Sequence, residues 1–241
     1  MKILVVDVGG NNVKLLVSGQ KAPRKVPSSP TLTAARMAAS VKKDLALAGW
    51  KYEAVALGFP GPVREGRPAQ EPVNLGRGWV RFDYARAFGK PVRFVNDAAM
   101  QALGSYRGGR MLFLGLGTGL GSALVLEGLV QPLEIAHLPY RNGKTYEDFL
   151  GKRGLDRGGK KRWRQLVAEI VARLHHAFQV DEVVLGGGNV KLLKTLPPGS
   201  RLGSNAHAFV GGLRLWEPAG ARRRRAALKV PATRARRVGT A

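Results

Sequence analysis

Residues 2–18 and 111–127 repeat one arrangement, and that repetition constrains the fold more than any other feature of the chain. Each stretch holds two strand-like apolar runs, KILVVDV with VKLLVSG and MLFLGLG with GSALVLEG, joined by a short glycine turn. Each is followed by helical material and by a further apolar run that ends in glycines, AVALGFPG in the first half and EVVLGGGN in the second. Short apolar runs bounded by glycine read as buried strands. The repetition predicts a duplicated α/β architecture: two lobes, each opening with a hairpin, and a cleft between them where the glycine turns gather. A single doubly wound sheet is the rival, and mixed strand directions do not exclude it.

The intervening segments carry helical periodicity. TLTAARMAASVKKDLALAG reads as a helix entered from a threonine cap, and DAAMQALGSY as a shorter one. KKRWRQLVAEIVARLHHAF has the long apolar repeat of a helix with a buried face, and NAHAFVGGLRLWEP is the last helix, weakened by its glycines. GLGTGLG is followed by another strand, SALVLEG, and not by a helix, which argues against a dinucleotide fold. No GxxxxGK[ST] motif occurs.

With 44% hydrophobic residues among 241, the chain can bury a sizeable core. It has no apolar run long enough to cross a bilayer, and its start, MKILVVDVGG, reads as a core strand and not as a signal peptide. The cytoplasm is the expected location. There is no cysteine, which excludes disulfides and thiolate metal sites. Forty Lys and Arg against sixteen Asp and Glu give a net charge of +24, which suits polyanions (nucleic acid bound nonspecifically, inorganic polyphosphate or an anionic surface) or a merely solvated surface. Part of that excess is local, since residues 221–241 hold seven arginines and one lysine with no acid, and read as a flexible basic tail.

Several stretches could carry chemistry. In DVGGNNVK, Gly9 and Gly10 let backbone N–H groups approach an anion, Asp7 suits Mg2+ held through water, and Lys14 suits a phosphate. An ordinary hairpin explains the same residues. Gly117, Thr118 and Gly119 form a second turn of the same character, and GGGN over residues 186–189 ends the later strand. Asn96 and Asp97 stand at a strand-to-helix junction, where Asp97 serves either as a helix cap or as the acceptor of a proton from an attacking hydroxyl. Glu134 and His137, three residues apart, share a face and suit sugar hydroxyls, which donate and accept. His175 and His176 read as surface or packing residues. The loops GFPGPV and EPVNLGRGW, with Gly61 and Asn74, can line a small polar ligand or serve as plain turns.

Taken in order, DVGGNNVK, GFPGPV, NLGRGW, NDAAMQALG, GLGTGLGSALV, PLEIAHLPY and VVLGGGN resemble the ROK sugar kinases of the actin-like ATPase superfamily, and most closely their polyphosphate glucokinase-like branch. The resemblance spans roughly residues 1–217 and implies two ribonuclease-H-like lobes with an interlobe cleft. It implies residues 1–108 as the lobe with the sugar side and first phosphate loop, and 109–220 as the donor-side lobe, with the last helix, about 203–216, returning to the first. Asp97 matches the catalytic base. Gly61, Asn74, Asn96, Glu134 and His137 match sugar-side positions. Asp7, Gly9, Gly10, Asn11 and Lys14 match the first phosphate loop, Gly117, Thr118 and Gly119 the second, and Gly187 and Gly188 the nucleotide side.

Three departures from the family pattern stand out. Asn11 replaces the usual threonine of DxGGT, Ala136 replaces the glycine of ExGH, and the cysteine-rich zinc site of many members is missing. The polyphosphate branch also lacks that zinc site. The expected activity is a glucokinase moving a phosphoryl group from inorganic polyphosphate, ATP or both to the 6-hydroxyl of glucose, with Mg2+. Another hexose such as mannose, and a non-catalytic sugar-sensing or polyanion-binding protein, are the alternatives. The ROK repressors carry an N-terminal DNA-binding domain, for which a chain opening on its core strand is expected to leave no room, and Asp97 argues for catalysis. Homodimers are common in the resembled family, and one is admitted here.

Overall fold

The structure, a computed structural model, describes residues 1–218; the basic stretch 221–241 lies outside them. The first hairpin is β1 (Ile3–Val8) and β2 (Asn12–Val17), extended by β3 (Arg24–Pro27) at the edge. Helix α1 (Ala34–Leu47), entered from Thr33 as its cap, leads to β4 (Ala54–Phe59), which pairs parallel to β1. A small hairpin, β5 (Val63–Arg64) with β6 (Arg67–Pro68), and the short α2 (Tyr84–Phe88) precede β7 (Val92–Asn96), parallel to β4. Helix α3 (Asp97–Ser105) follows without a linker. The sheet order is β3-β2-β1-β4-β7.

The second half repeats that order. β8 (Arg110–Leu116), β9 (Leu120–Leu126) and β10 (Leu129–Leu133) form the antiparallel part. A β-ribbon, β11 (Pro139–Arg141) with β12 (Lys144–Thr145), and helices α4 (Tyr146–Leu150) and α5 (Lys152–Ala177) come next. β13 (Glu182–Gly186) then pairs parallel to β8, and β14 (Ser200–Leu202) parallel to β13. The order β10-β9-β8-β13-β14 matches that of the first sheet, strand for strand. The duplicated two-lobe reading therefore holds, and the single doubly wound sheet does not. α5 begins earlier than its apolar repeat implies, because a first helical piece joins it across Gly159, whose φ of 69° breaks the helix.

Strand alternation decides which way each side chain faces. Every residue of β1 is buried, so both sheet faces are covered. Leu4, Val6 and Val8 pack with Met37 and Val41 of α1, whereas Ile3 and Val5 enter a different core with Ala98, Ala99 and Phe209. That second core is shared between the sheets, since Met111, Phe113, Ala123 and Val184 belong to it. A third core lies between the second sheet and α5, around Trp163, Ile170 and Val171.

The centre of the molecule is α3 crossed by α6 (His207–Arg214). Their backbones approach closely: a Cβ on Gly211 would meet the carbonyl of Met100, and one on Gly104 the carbonyl of His207. Gly212 lies against Val5 of the first sheet. Arg214 closes the crossing by donating from Nη1 to the carbonyls of Leu103, Gly104 and Tyr106 at 2.5, 3.3 and 3.0 Å. These are carbonyls at the end of α3 that would otherwise lack intrahelical partners. α3 is thereby held rigidly at the junction of the lobes, and its N-terminus carries the residues of greatest chemical interest.

Candidate active site

Asn96 and Asp97 divide the work at the start of α3. Asn96 is the cap: its Oδ1 accepts from the N–H of Ala99 at 3.1 Å. Its Nδ2 donates to the carbonyl of Gly61 at 3.2 Å, joining GFPGPV to the helix. Capping of this kind contributes roughly 1 kcal/mol. Asp97 is not the cap but the first helical residue. Its Oδ1 accepts from the Ala98 N–H at 2.8 Å, and among the described residues no side chain donates to Oδ2.

Both lobes close on this point through glycines. Gly58, the register partner of Asp7 in β4, leaves room for Met100, and the Cα of Asp97 lies 3.7 Å from where its Cβ would be. Gly121 of β9 abuts Ala98, with 2.8 Å between the Ala98 Cβ and the position a Cβ would take. Asp7 follows Val5 on the same side of β1, so alternation turns it toward α3 and not toward α1. It is buried, and its Oδ2 holds the ammonium of Lys14 at 3.0 Å.

Asp97 has an unusual acidity for a carboxylic acid. Burial pushes its pKa up to about 7, the negative charge of Asp7 adds to the rise, and Glu134 adds a smaller part. Its own backbone hydrogen bonds work the other way. A carboxyl group poised near neutrality is suited to take a proton at working pH.

Glu134 precedes and His137 ends a short 3-10 turn, Ile135–His137, with 3.5 Å between Oε2 and Nε2. Both are exposed. Ala136, the departure from the family's glycine, is buried beneath them. Ser122, buried in β9 and not singled out from the sequence, anchors the turn. It donates to the carbonyl of Leu133 at 2.9 Å and accepts from the Ile135 N–H at 3.2 Å. Asn74 is exposed on its loop, and among the described residues no hydrogen bond ties it to the Asp97 cluster.

The two turns differ in construction. In the first, Gly9 donates to the carbonyl of Asn12 at 3.1 Å, while Gly10 and Asn11 are exposed with open space around Gly10. In the second, Gly117 donates to the carbonyl of Gly119 at 3.1 Å and Thr118 is exposed. Two residues support that turn, Asn189 at the end of GGGN and Glu147, which the sequence did not single out. Asn189 donates from Nδ2 to the Gly117 carbonyl at 2.9 Å. Glu147 of α4 packs its carboxylate beneath Gly119 and accepts from the Leu120 N–H at 3.1 Å. Gly187, with a φ of 86°, lies against the carbonyl of Leu116, and Gly188 faces open space. The GGGN and GTG segments therefore form one continuous backbone surface.

Mg2+ usually takes one or two carboxylates and completes its shell with water and substrate phosphates. Asp7 offers one such carboxylate at the end of β1, already balanced by Lys14. Among the described residues no group of three His, Cys, Asp or Glu converges as a metal cage. Asp7 fits a metal that takes one carboxylate and completes its shell with water and ligand phosphates. Among the described residues no helix is long and apolar enough to cross a membrane.

Comparison with known proteins agrees with this geometry. No family model matches the chain. A polyphosphate glucokinase of Mycobacterium tuberculosis is 26% identical over 208 residues, spanning 76% of this chain and 76% of the relative. The structure of an inorganic polyphosphate/ATP-glucomannokinase from Arthrobacter sp. strain KM superposes with a TM-score of 0.73 at 22% identity, covering 88% of this chain and 96% of that one. A ROK family glucokinase from Streptomyces griseus, solved with glucose and AMPPNP, gives a TM-score of 0.69 at 17% identity, covering 89% and 99%. The fold is that of the ROK kinases, and the resemblance read from the sequence motifs is borne out.

Proposed function

We propose that this chain, a sugar kinase of the ROK family in its polyphosphate glucokinase branch, transfers the terminal phosphoryl group of inorganic polyphosphate or ATP to the 6-hydroxyl of glucose. The observation that carries the reading is Asp97: a carboxyl group at the junction of the lobes, relieved of capping by Asn96, with its pKa raised to about 7.

Asp97 takes the proton of the sugar hydroxyl as that oxygen forms its bond to phosphorus and the bond to the donor's bridging oxygen breaks. Glu134 and His137 bind sugar hydroxyls, with Asn96, Gly61 and Asn74 on the opposite side. The exposed turns around Gly10 and Asn11, and around Thr118, Gly187 and Gly188, present backbone N–H groups to the phosphates. Lys14 and Asp7 sit beneath the first turn. Asp7 would hold Mg2+ through water, and the ion would neutralise charge on the donor during transfer. The reading carries a cytoplasmic location with it.

Mannose is a second acceptor in this reading, favoured by the likeness to a glucomannokinase. A matrix of donors (ATP, polyphosphate) against hexoses, with a metal-free control, tests the whole proposal. Transfer to glucose from at least one donor, dependent on Mg2+, is the expected result. No transfer to any hexose from either donor overturns it.

A further inference from the structure

Helix α5 follows α4 and starts against the Gly117–Gly119 turn, and its first half is a basic arm. Residues 152–164 hold seven Lys and Arg against one acid, Asp156. The arm is tied to donor-side backbone at both ends. The N–H of Lys152 donates to the Thr118 carbonyl at 2.9 Å, and Nε of Arg164 donates to the carbonyl of Leu192 at 2.6 Å, in the turn that follows GGGN. Trp163 is fully buried and donates from Nε1 to the Leu150 carbonyl at 2.9 Å, so the arm is held in place by packing.

Its cations fall into two groups. Near the turn they are occupied: Lys152 pairs with Asp156 at 2.6 Å, and Arg157 donates to the Asp148 carbonyl at 2.8 Å. Past the break at Gly159, Lys160, Lys161 and Arg162 are exposed and, among the described residues, meet no acid within ion-pair distance. Lys160 stands eight residues beyond Lys152 in the chain, on the far side of that break.

We infer that Lys160, Lys161 and Arg162 form a track for the distal phosphates of inorganic polyphosphate whose terminal phosphoryl group lies at the Gly117–Gly119 turn. The inference rests on the kinase reading above. Continuity between turn and arm suits one long anion that is both substrate and ligand. Nucleic acid is the poorer occupant, because single strands are held by stacking on outward aromatic rings, and the one aromatic residue of the arm, Trp163, is buried.

The test compares wild type with the triple variant Lys160→Glu, Lys161→Glu, Arg162→Glu and with the milder pair Lys160→Ala, Lys161→Ala. kcat/KM is measured with long-chain polyphosphate, tripolyphosphate and ATP at low and high salt. The triple variant should lose about tenfold with long-chain polyphosphate at low salt, the pair less, and both should keep their rates with ATP and tripolyphosphate. The wild-type advantage should shrink as salt rises. Equal losses with all donors, or none, overturn the track while leaving the kinase intact. A wild type that uses ATP but never polyphosphate removes the donor reading itself, and the track with it. Variants that lose affinity for poly(U) RNA while keeping full polyphosphate turnover assign the arm to nucleic acid instead.

Discussion

The carboxylate of Asp7, at the end of β1, raises the pKa of Asp97, at the start of α3, and does so more strongly than any other charged neighbour. The relationship follows from strand alternation, which turns Asp7 toward α3, and from Gly58, which lets α3 lie close above the sheet. In the proposed reaction it sets the working pH. The base must be ionised to accept a proton, so kcat/KM for glucose should rise with pH through a limb near 7. Removing the Asp7 charge with Asp7→Asn should move that limb to lower pH, and Glu134→Gln should move it in the same direction by less. Rate profiles at saturating donor check both; a limb that stays in place in Asp7→Asn contradicts the coupling.

The same raised pKa has a consequence for stability. A carboxyl group whose folded pKa lies above its unfolded value binds more protons when folded, so stability falls as pH rises between the two. Here that window runs from about 4, the ordinary aspartate range, to about 7. Asp97→Asn should therefore equal wild type in stability below pH ~4 and exceed it increasingly up to pH ~7, by roughly 1–3 kcal/mol, with a constant gain above. Urea denaturation across pH measures this. An Asn variant less stable at pH 8 than wild type would falsify the burial account.

Glu147 is expected to act on the donor through the turn it supports. Its carboxylate receives the Leu120 N–H and fills the space beneath Gly119. Glu147→Ala should raise KM for the donor severalfold with KM for glucose little changed. Glu147→Gln keeps an acceptor of the same shape and should restore the donor KM. If Ala and Gln behave alike, the residue acts by charge and not by positioning the turn.

The crossing of α3 and α6 admits no side chain where it is tightest. Gly211→Val would drive methyl groups into the backbone of Met100. Overpacking of this kind costs typically 1–3 kcal/mol, and rigid backbone on both sides places the cost at the upper end. Thermal unfolding should show a clear drop in Tm, and activity should fall as well because α3 carries Asp97. An unchanged Tm would contradict the close approach.

How much of this was legible in the sequence differs by element. The β1–β2 and β8–β9 hairpins announce themselves, because apolar runs meet at glycine turns and recur with the same spacing. Edge strands β3 and β14, RKVP and SRL, do not, since an exposed edge needs no apolar run and their residues are mostly polar. The start of α5 was hidden by Gly158, Gly159 and a dense run of charge. At the site, Asn96, Asp97 and the Glu134–His137 pair were visible as neighbours in sequence. The supporting roles of Ser122, Glu147 and Asn189 were not, because each supports its loop across 11 to 72 residues of chain and only folding brings the partners together.

The most direct test of the account is transfer itself, followed as glucose 6-phosphate formed in a single turnover by wild type and by Asp97→Asn, with glucose binding measured in parallel. The wild type should form product from polyphosphate or ATP. The variant should bind glucose normally and form it about 10²- to 10⁴-fold more slowly, the span expected for loss of a general base. A variant that transfers at the wild-type rate would contradict the assignment of Asp97 as the base.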